Sequence, residues 1–166
     1  MLYTEYYQQL LINEHLKRPW GVVGQQHCDR ILELYREYHC ESILDYGCGQ
    51  GLLSQRIGDL AMVANYDPGI PQHSHAPLPA DLLVCTDVLE HIEPQCLDAV
   101  LAHIHSVTVK IAYFTICSIA AKTSFPDGQN LHLIQQDQSW WQHTLSRHFN
   151  IISDTDSVIL AQPLRV

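Results

Sequence analysis

Three glycines at alternate positions, Gly47, Gly49 and Gly51, follow an acid, Asp45, that ends the short apolar run Ile43-Leu44. Residues without Cβ can take positive φ and let a ligand approach the backbone closely. Helix-spaced apolar residues come next, at Leu52, Leu53, Ile57 and Leu60, and a helix start offers free N–H groups. Strand, tight turn, helix is the opening of a nucleotide-binding α/β unit. A second acid, Asp67, stands twenty-two positions after Asp45, where a second strand would end. There it can accept hydrogen bonds from ribose hydroxyls; its plainer role is a turn aspartate before Pro68-Gly69. A third polar group, Thr86, Asp87, Glu90 and His91, follows the apolar run Leu82-Leu83-Val84-Cys85. Open α/β sheets bind ligands beyond the carboxyl ends of their strands. His91 is therefore a candidate general base, or else a brace for the helix start that follows. His73 and His75 lie two apart on a loop with no third metal ligand nearby in the sequence.

These residues need elements to position them. Apolar spacing predicts helices over 3–16 and 23–38, separated by Pro19-Trp20-Gly21, because proline and glycine stop a helix. Trp20 at that break is a candidate lid, or simply a ring packed where two helices meet. Strands are expected over 42–46, 62–66, 81–87 and 109–117, and a helix over 51–59. Between Asp67 and the third strand, residues 68–80 contain four prolines, which excludes a regular helix. Thirteen extended residues reach about 43 Å, enough to return along the sheet without one. The sheet should thus lack one edge strand. Pro94 opens a helix carrying Leu97, Val100, Leu101 and Ile104 on one face, with His103 and His105 off that stripe and exposed. A helix over 138–149 should bury Trp141, Leu145 and Phe149. Strands near 150–153 and 157–162 complete an antiparallel pair.

The whole reads as an α/β fold with a doubly wound, mostly parallel sheet, shortened by one edge strand, with a C-terminal antiparallel hairpin and two N-terminal helices. One domain is expected over 1–166, with a helical cap over 1–40 and a core over 41–166. Hydrophobic residues make up 46% of the chain and charged residues 16%, which fits a globular domain and not a disordered one. A net charge of −9 with only nine Lys and Arg argues against a nucleic-acid surface, which needs a basic stripe. No apolar run approaches the roughly 20 residues of a membrane span, and no secretory signal is evident. The six cysteines are dispersed without a CxxC pair, and Cys85 and Cys117 are expected as buried thiols, so a reducing, cytoplasmic setting is the default.

Leu44-Asp45-Tyr46-Gly47-Cys48-Gly49-Gln50-Gly51, Asp67 and Cys85-Thr86-Asp87-Val88-Leu89-Glu90-His91 together resemble class I S-adenosylmethionine-dependent methyltransferases. The GxGxG spacing differs from the GxGxxG of NAD-binding folds. The resemblance covers most of 42–162 and implies a Rossmann-like methyltransferase sheet. It implies S-adenosylmethionine as cofactor, its methionine end held by Asp45, Gly47, Cys48, Gly49 and Gly51, and its ribose by Asp67. Thr86 and Asp87 would face cofactor and substrate. The family's adenine loop is compressed here, which leaves Pro68, Gly69 or the loop around His75 for that contact. The stretch from Asp127 to His132, followed by Trp140-Trp141, resembles small phage- and bacteria-associated methyltransferase-like proteins. Asp87, Glu90, His91 and His132 also resemble the Glu-x-x-Glu-His motif and later histidine with which small-RNA 2′-O-methyltransferases bind a divalent metal, with Asp in place of the first Glu. That likeness implies Mg²⁺ or Mn²⁺ beside an acceptor hydroxyl. His91 and His132 are the candidate catalytic residues. The leading expectation is methyl transfer to an oxygen or nitrogen of an unidentified acceptor, a small molecule among the possibilities; the alternatives are a metal-dependent O-methyltransferase and a methyltransferase-like module that binds a ligand or partner without catalysis.

Overall fold

The computed structural model describes residues 1–155 and 157–165. Its six strands are β1 (Ile43–Tyr46), β2 (Val63–Tyr66), β3 (Ala80–Thr86), β4 (Thr108–Thr115), β5 (Phe149–Thr155) and β6 (Val158–Pro163). They form one sheet in the order β2-β1-β3-β4-β6-β5. The pairs β1·β2, β1·β3 and β3·β4 are parallel, and β6 runs antiparallel to β4 and β5. The expected mostly parallel sheet and C-terminal hairpin are both present. β2 is an edge strand, and the proline-rich stretch after it holds a single 3-10 turn, Pro71–His73.

Both faces of the parallel part are covered, which is why its strands read as unbroken apolar runs. Alternate residues point to opposite faces. Leu83 and Cys85 pack with α5 (Leu97–Val107) and α6 (Gln138–Leu145), including the fully buried Trp141. Leu82 and Val84 pack with α3 (Cys28–Glu37) and α4 (Leu52–Ile57). The expected helix over 23–38 is two helices, α2 (Val22–Gln26) and α3, because His27 leaves helical geometry at φ −95°, ψ 8°. Three helices therefore precede the sheet, not two. α6 ends at Leu145 and Phe149 opens β5; the buried Phe149 fits the apolar stripe of a helix as readily as a strand. β4 stops at Thr115, so Cys117 lies beyond it and is partly exposed, while Cys85 is fully buried. All six cysteines are free thiols.

The first helix, α1 (Glu5–His15), packs on the loops that leave the strands, with Gln8 donating to Pro68 O at 3.1 Å. Tyr7 packs with Phe125 and Leu131 of the loop after β4, and Leu10, Leu11 and Trp20 join that cluster. Thr4 caps α1 by accepting from Tyr7 N at 3.1 Å, and donates its own hydroxyl to Glu93 Oε1 at 2.9 Å. Thr4→Ala is expected to lower stability by about 1 kcal/mol, measurable by urea unfolding. Among the described residues, no helix is long and apolar enough to cross a membrane.

Candidate active site

The chain leaves β1 for β2 on one side and β3 lies on the other. The crevice between the carboxyl ends of β1 and β3 is the topological switch point, where open α/β sheets bind ligands. The glycine turn fills its near wall. Gly47 N and Cys48 N donate to Tyr66 O at 2.7 and 3.1 Å. Asp67 is buried at the end of β2, where its two carboxylate oxygens accept from Gly49 N at 2.9 Å and Gly69 N at 2.8 Å. Asp67 thus ties the turn to the neighbouring strand. His15, at the end of α1, brings Nε2 to 3.8 Å from the same carboxylate. Gln50 reaches out of the turn to accept from Trp20 N and to donate to His15 O. Asp45 is buried beneath the turn, and burial, with the Asp67 charge second, raises its carboxyl to about 7. Burial likewise pushes the Cys48 thiol well up, so it is no nucleophile.

A cavity of about 450 Å³ opens above this crevice, within the usual range of ligand pockets. Gly47, Asp67, Pro68, Thr86, Asp87 and His91 line its sheet side. α1 and the segment after it form the opposite wall through Tyr7, Leu11, His15 and Trp20. Trp20 is half-buried, its ring 5.1 Å from His15 and 5.5 Å from His91. It therefore packs where the helices meet and also faces the cavity.

At the far end stand the acids and histidines after β3. Asp87 sits at φ 59°, a conformation that turns the chain sharply out of the strand. Glu90 and His91 follow in the 3-10 turn Leu89–His91. His132 arrives from the loop after β4, and its ring centroid lies 4.7 Å from that of His91. Each imidazole donates Nδ1–H to a carbonyl, His91 to Leu131 O at 2.9 Å and His132 to Ile119 O at 2.6 Å. Carbonyls only accept, so in the neutral ring it is Nε2 that carries the lone pair. Burial holds His91 neutral, down to about 4, against the opposing pull of Asp87. Burial first and the Asp87 charge second push Glu90 up to about 9.

The methyltransferase-domain family model matches residues 13–157. The chain belongs to the methyltransferase-domain family. The methyltransferase is similar in fold to the 1,6-didemethyltoxoflavin N1-methyltransferase of Burkholderia thailandensis, crystallised with 1,6-didemethyltoxoflavin and S-adenosylhomocysteine. The TM-score is 0.61 at 14% identity, over 86% of this chain and 79% of that one. The magnesium protoporphyrin IX methyltransferase of Synechocystis PCC 6803, with bound S-adenosylhomocysteine, aligns at TM-score 0.58 and 18% identity, over 86% and 84%. Human N-acetylserotonin methyltransferase in complex with S-adenosylmethionine gives 0.53 and 15%, over 84% of this chain and 52% of that one. No curated protein matches the chain significantly in sequence. At these identities the likeness is one of fold, that of the S-adenosylmethionine-dependent class I enzymes.

The residues singled out in the methyltransferase sequence gather on one edge of the sheet, with exceptions. His75 is exposed and does not line the cavity, and His73 and His75 form no cluster with other metal-binding side chains among the described residues. His103 and His105 are half-buried, not exposed: Tyr46 Oη bonds His103 Nδ1 at 2.9 Å, and His105 Nε2 bonds Leu164 O at 2.8 Å. Of the tryptophan pair, Trp141 is in the core and Trp140 packs partly buried against it, away from the cavity. Asp45 and Cys48 support the turn from beneath, and Gly49 and Gly51 are covered by Trp20 and by Asn65 and Ser54, so of the expected glycines Gly47 alone lines the cavity. Sequence reasoning missed His15, Tyr7, Tyr46 and Tyr66. Tyr7 Oη donates to His91 O and so holds the turn that carries His91. Its signal was an aromatic residue buried on the inner face of α1.

Proposed function

We propose that this methyltransferase moves a methyl group from S-adenosylmethionine to an oxygen or nitrogen of a small-molecule acceptor. The observation that carries this reading is a single cavity running from the glycine turn and Asp67 to Asp87, His91 and His132. In it the donor's methionine end lies against Gly47, at the head of the glycine turn above Asp45. Its ribose lies at Asp67, where each carboxylate oxygen keeps a second lone pair beyond the Gly49 and Gly69 bonds. Pro68 is the contact left for adenine. Thr86 and Asp87 flank the reacting centre. S-Adenosylhomocysteine in the two bacterial structures of like fold supports the choice of donor.

The sulfonium makes its methyl carbon electrophilic, so the protein mainly positions the two reactants. The acceptor's lone pair forms the new C–O or C–N bond while the C–S bond breaks. The released pair stays on sulfur as a neutral thioether, and one proton passes from the acceptor to solvent. Titration calorimetry with S-adenosylhomocysteine tests the donor half. One saturable site per chain is expected, weakened about tenfold or more in Asp67→Ala, which removes a hydrogen-bonded carboxylate. Wild-type protein that takes up no S-adenosylhomocysteine would sink the reading.

A further inference from the structure

We infer that Asp87, Glu90, His91 and His132 form a binding site for one divalent transition-metal ion at the far end of the cavity. Each offers a ligand atom, and these atoms all lie within 4.8 Å of one another. Ligands on opposite sides of one ion stand roughly 4.2 Å apart at metal–ligand distances of about 2.1 Å. The four side chains therefore need only a small closure to meet at one centre.

Three further features point to an ion and not to a packed polar cluster. Glu90 is fully buried; its Oε1 accepts from Cys117 N at 2.7 Å, yet its Oε2 has no partner. His91 is 8% exposed and its Nε2 also has no partner. Two unpartnered buried atoms in one cluster are costly unless something unseen satisfies both. The backbone has also set the ligands in place. The carbonyls of Leu131 and Ile119 fix the tautomer of each imidazole, and the Cys117 amide fixes Glu90. Such supports commonly orient metal-binding histidines and carboxylates. Finally, two carboxyl groups can each give up a proton on binding, and the two negative charges then match one divalent cation. Without it two carboxyl groups stand together in one largely buried cluster.

The donor set selects the class of ion. Mg²⁺ prefers oxygen ligands and retains waters, whereas imidazole nitrogens favour Fe²⁺, Co²⁺, Ni²⁺ and Zn²⁺, and Mn²⁺ is the weakest binder of the transition series that a mixed nitrogen and oxygen set accepts. Four protein ligands leave a six-coordinate ion two positions, and Asp87, His91 and His132 open onto the cavity. An ion there favours an acceptor oxygen over nitrogen, since a bound hydroxyl loses its proton more readily. That oxygen assignment rests on the methyl-transfer reading; the ion site does not.

The test uses the full chain, stripped with a chelator and free of any methyl donor. Titration with MnCl₂, followed by the electron paramagnetic resonance of free Mn²⁺, is expected to show one saturable ion per chain. Mg²⁺ should compete more weakly, because two of the four ligands are imidazoles. His132→Ala and Glu90→Gln should each weaken Mn²⁺ binding about 10–100-fold. Should Glu90→Gln fail to fold, Co²⁺ added to the wild type decides: its d–d bands are expected to shift and intensify relative to the aqueous ion as nitrogen ligands replace water. No saturable Mn²⁺ site, unchanged affinity in His132→Ala, or a Co²⁺ spectrum identical to that of the aqueous ion would each overturn the site. Mg²⁺ binding as tight as Mn²⁺ would overturn the class of ion. S-Adenosylhomocysteine binding to the stripped protein reports on the donor separately, so the two readings fail independently.

Discussion

Gly49→Ala is expected to abolish measurable S-adenosylhomocysteine binding and to cost about 2–4 kcal/mol of stability. Gly49 has φ 53°, and a Cβ added there runs into the backbone of Trp20. A left-handed alanine costs about 1–2 kcal/mol. The rest comes from the collision, which no rotamer relieves because the opposing atoms are main chain. Any shift of the turn also strains the bond from Gly49 N to Asp67 Oδ2, so the binding wall and the carboxylate move together. Gly128→Ala supplies the control: its φ is 88°, yet nothing lies within 4 Å of an added Cβ. That variant carries the strain without the collision. Urea unfolding of both, with calorimetric binding, separates the two contributions. If Gly49→Ala unfolds like Gly128→Ala and still binds, the close seating of the 16–21 segment on the turn is not what shapes the cavity.

The parts of this molecule that were legible in its sequence are those fixed by local pattern. The unbroken apolar run of β3 announces a strand covered on both faces, and Leu82, Leu83, Val84 and Cys85 do divide between two cores. Four prolines between Asp67 and Ala80 forbid a helix, and a 3-10 turn is what forms there. Asp67 and the glycine turn are legible because their spacing follows from one βαβ crossover. What escaped depends on partners distant in the chain. His103 reads as exposed from its own helix, but Tyr46 on β1 supplies its hydrogen bond. α1 shows little apolar asymmetry, so its inner face becomes visible only once the loop after β4 brings Phe125 and Leu131 against Tyr7. His15 was invisible for the same reason. His91 and His132 are separated by α5, β4 and much of the loop after it. Their types marked each as a candidate, but only the parallel return of β4 beside β3 brings the rings together.

The buried acid under the turn gives the methyltransferase a pH dependence whose sign can be worked out. Burial, and secondly the Asp67 charge, raise Asp45 from 3.8 to about 7. Between those values the folded protein holds a proton that the unfolded chain has released. Stability contributed by this group is therefore complete below about pH 4, falls as pH rises, and is lost by the time the pH passes about 7. The full span is at most about 4 kcal/mol. Asp45→Asn keeps the shape and removes the titration. The unfolding free energy of the variant minus that of the wild type should climb between pH 4 and 7 and level off above. Urea unfolding across pH 5 to 8.5 measures it, and a flat difference would assign Asp45 an ordinary titration. The same proton links to the donor. S-Adenosylmethionine carries an ammonium on its methionine end, and a cation near Asp45 favours the carboxylate. Binding near pH 7 should then release protons, so the heat of binding varies with the ionisation enthalpy of the buffer. In Asp45→Asn that variation should vanish, because the group that gives up the proton is gone.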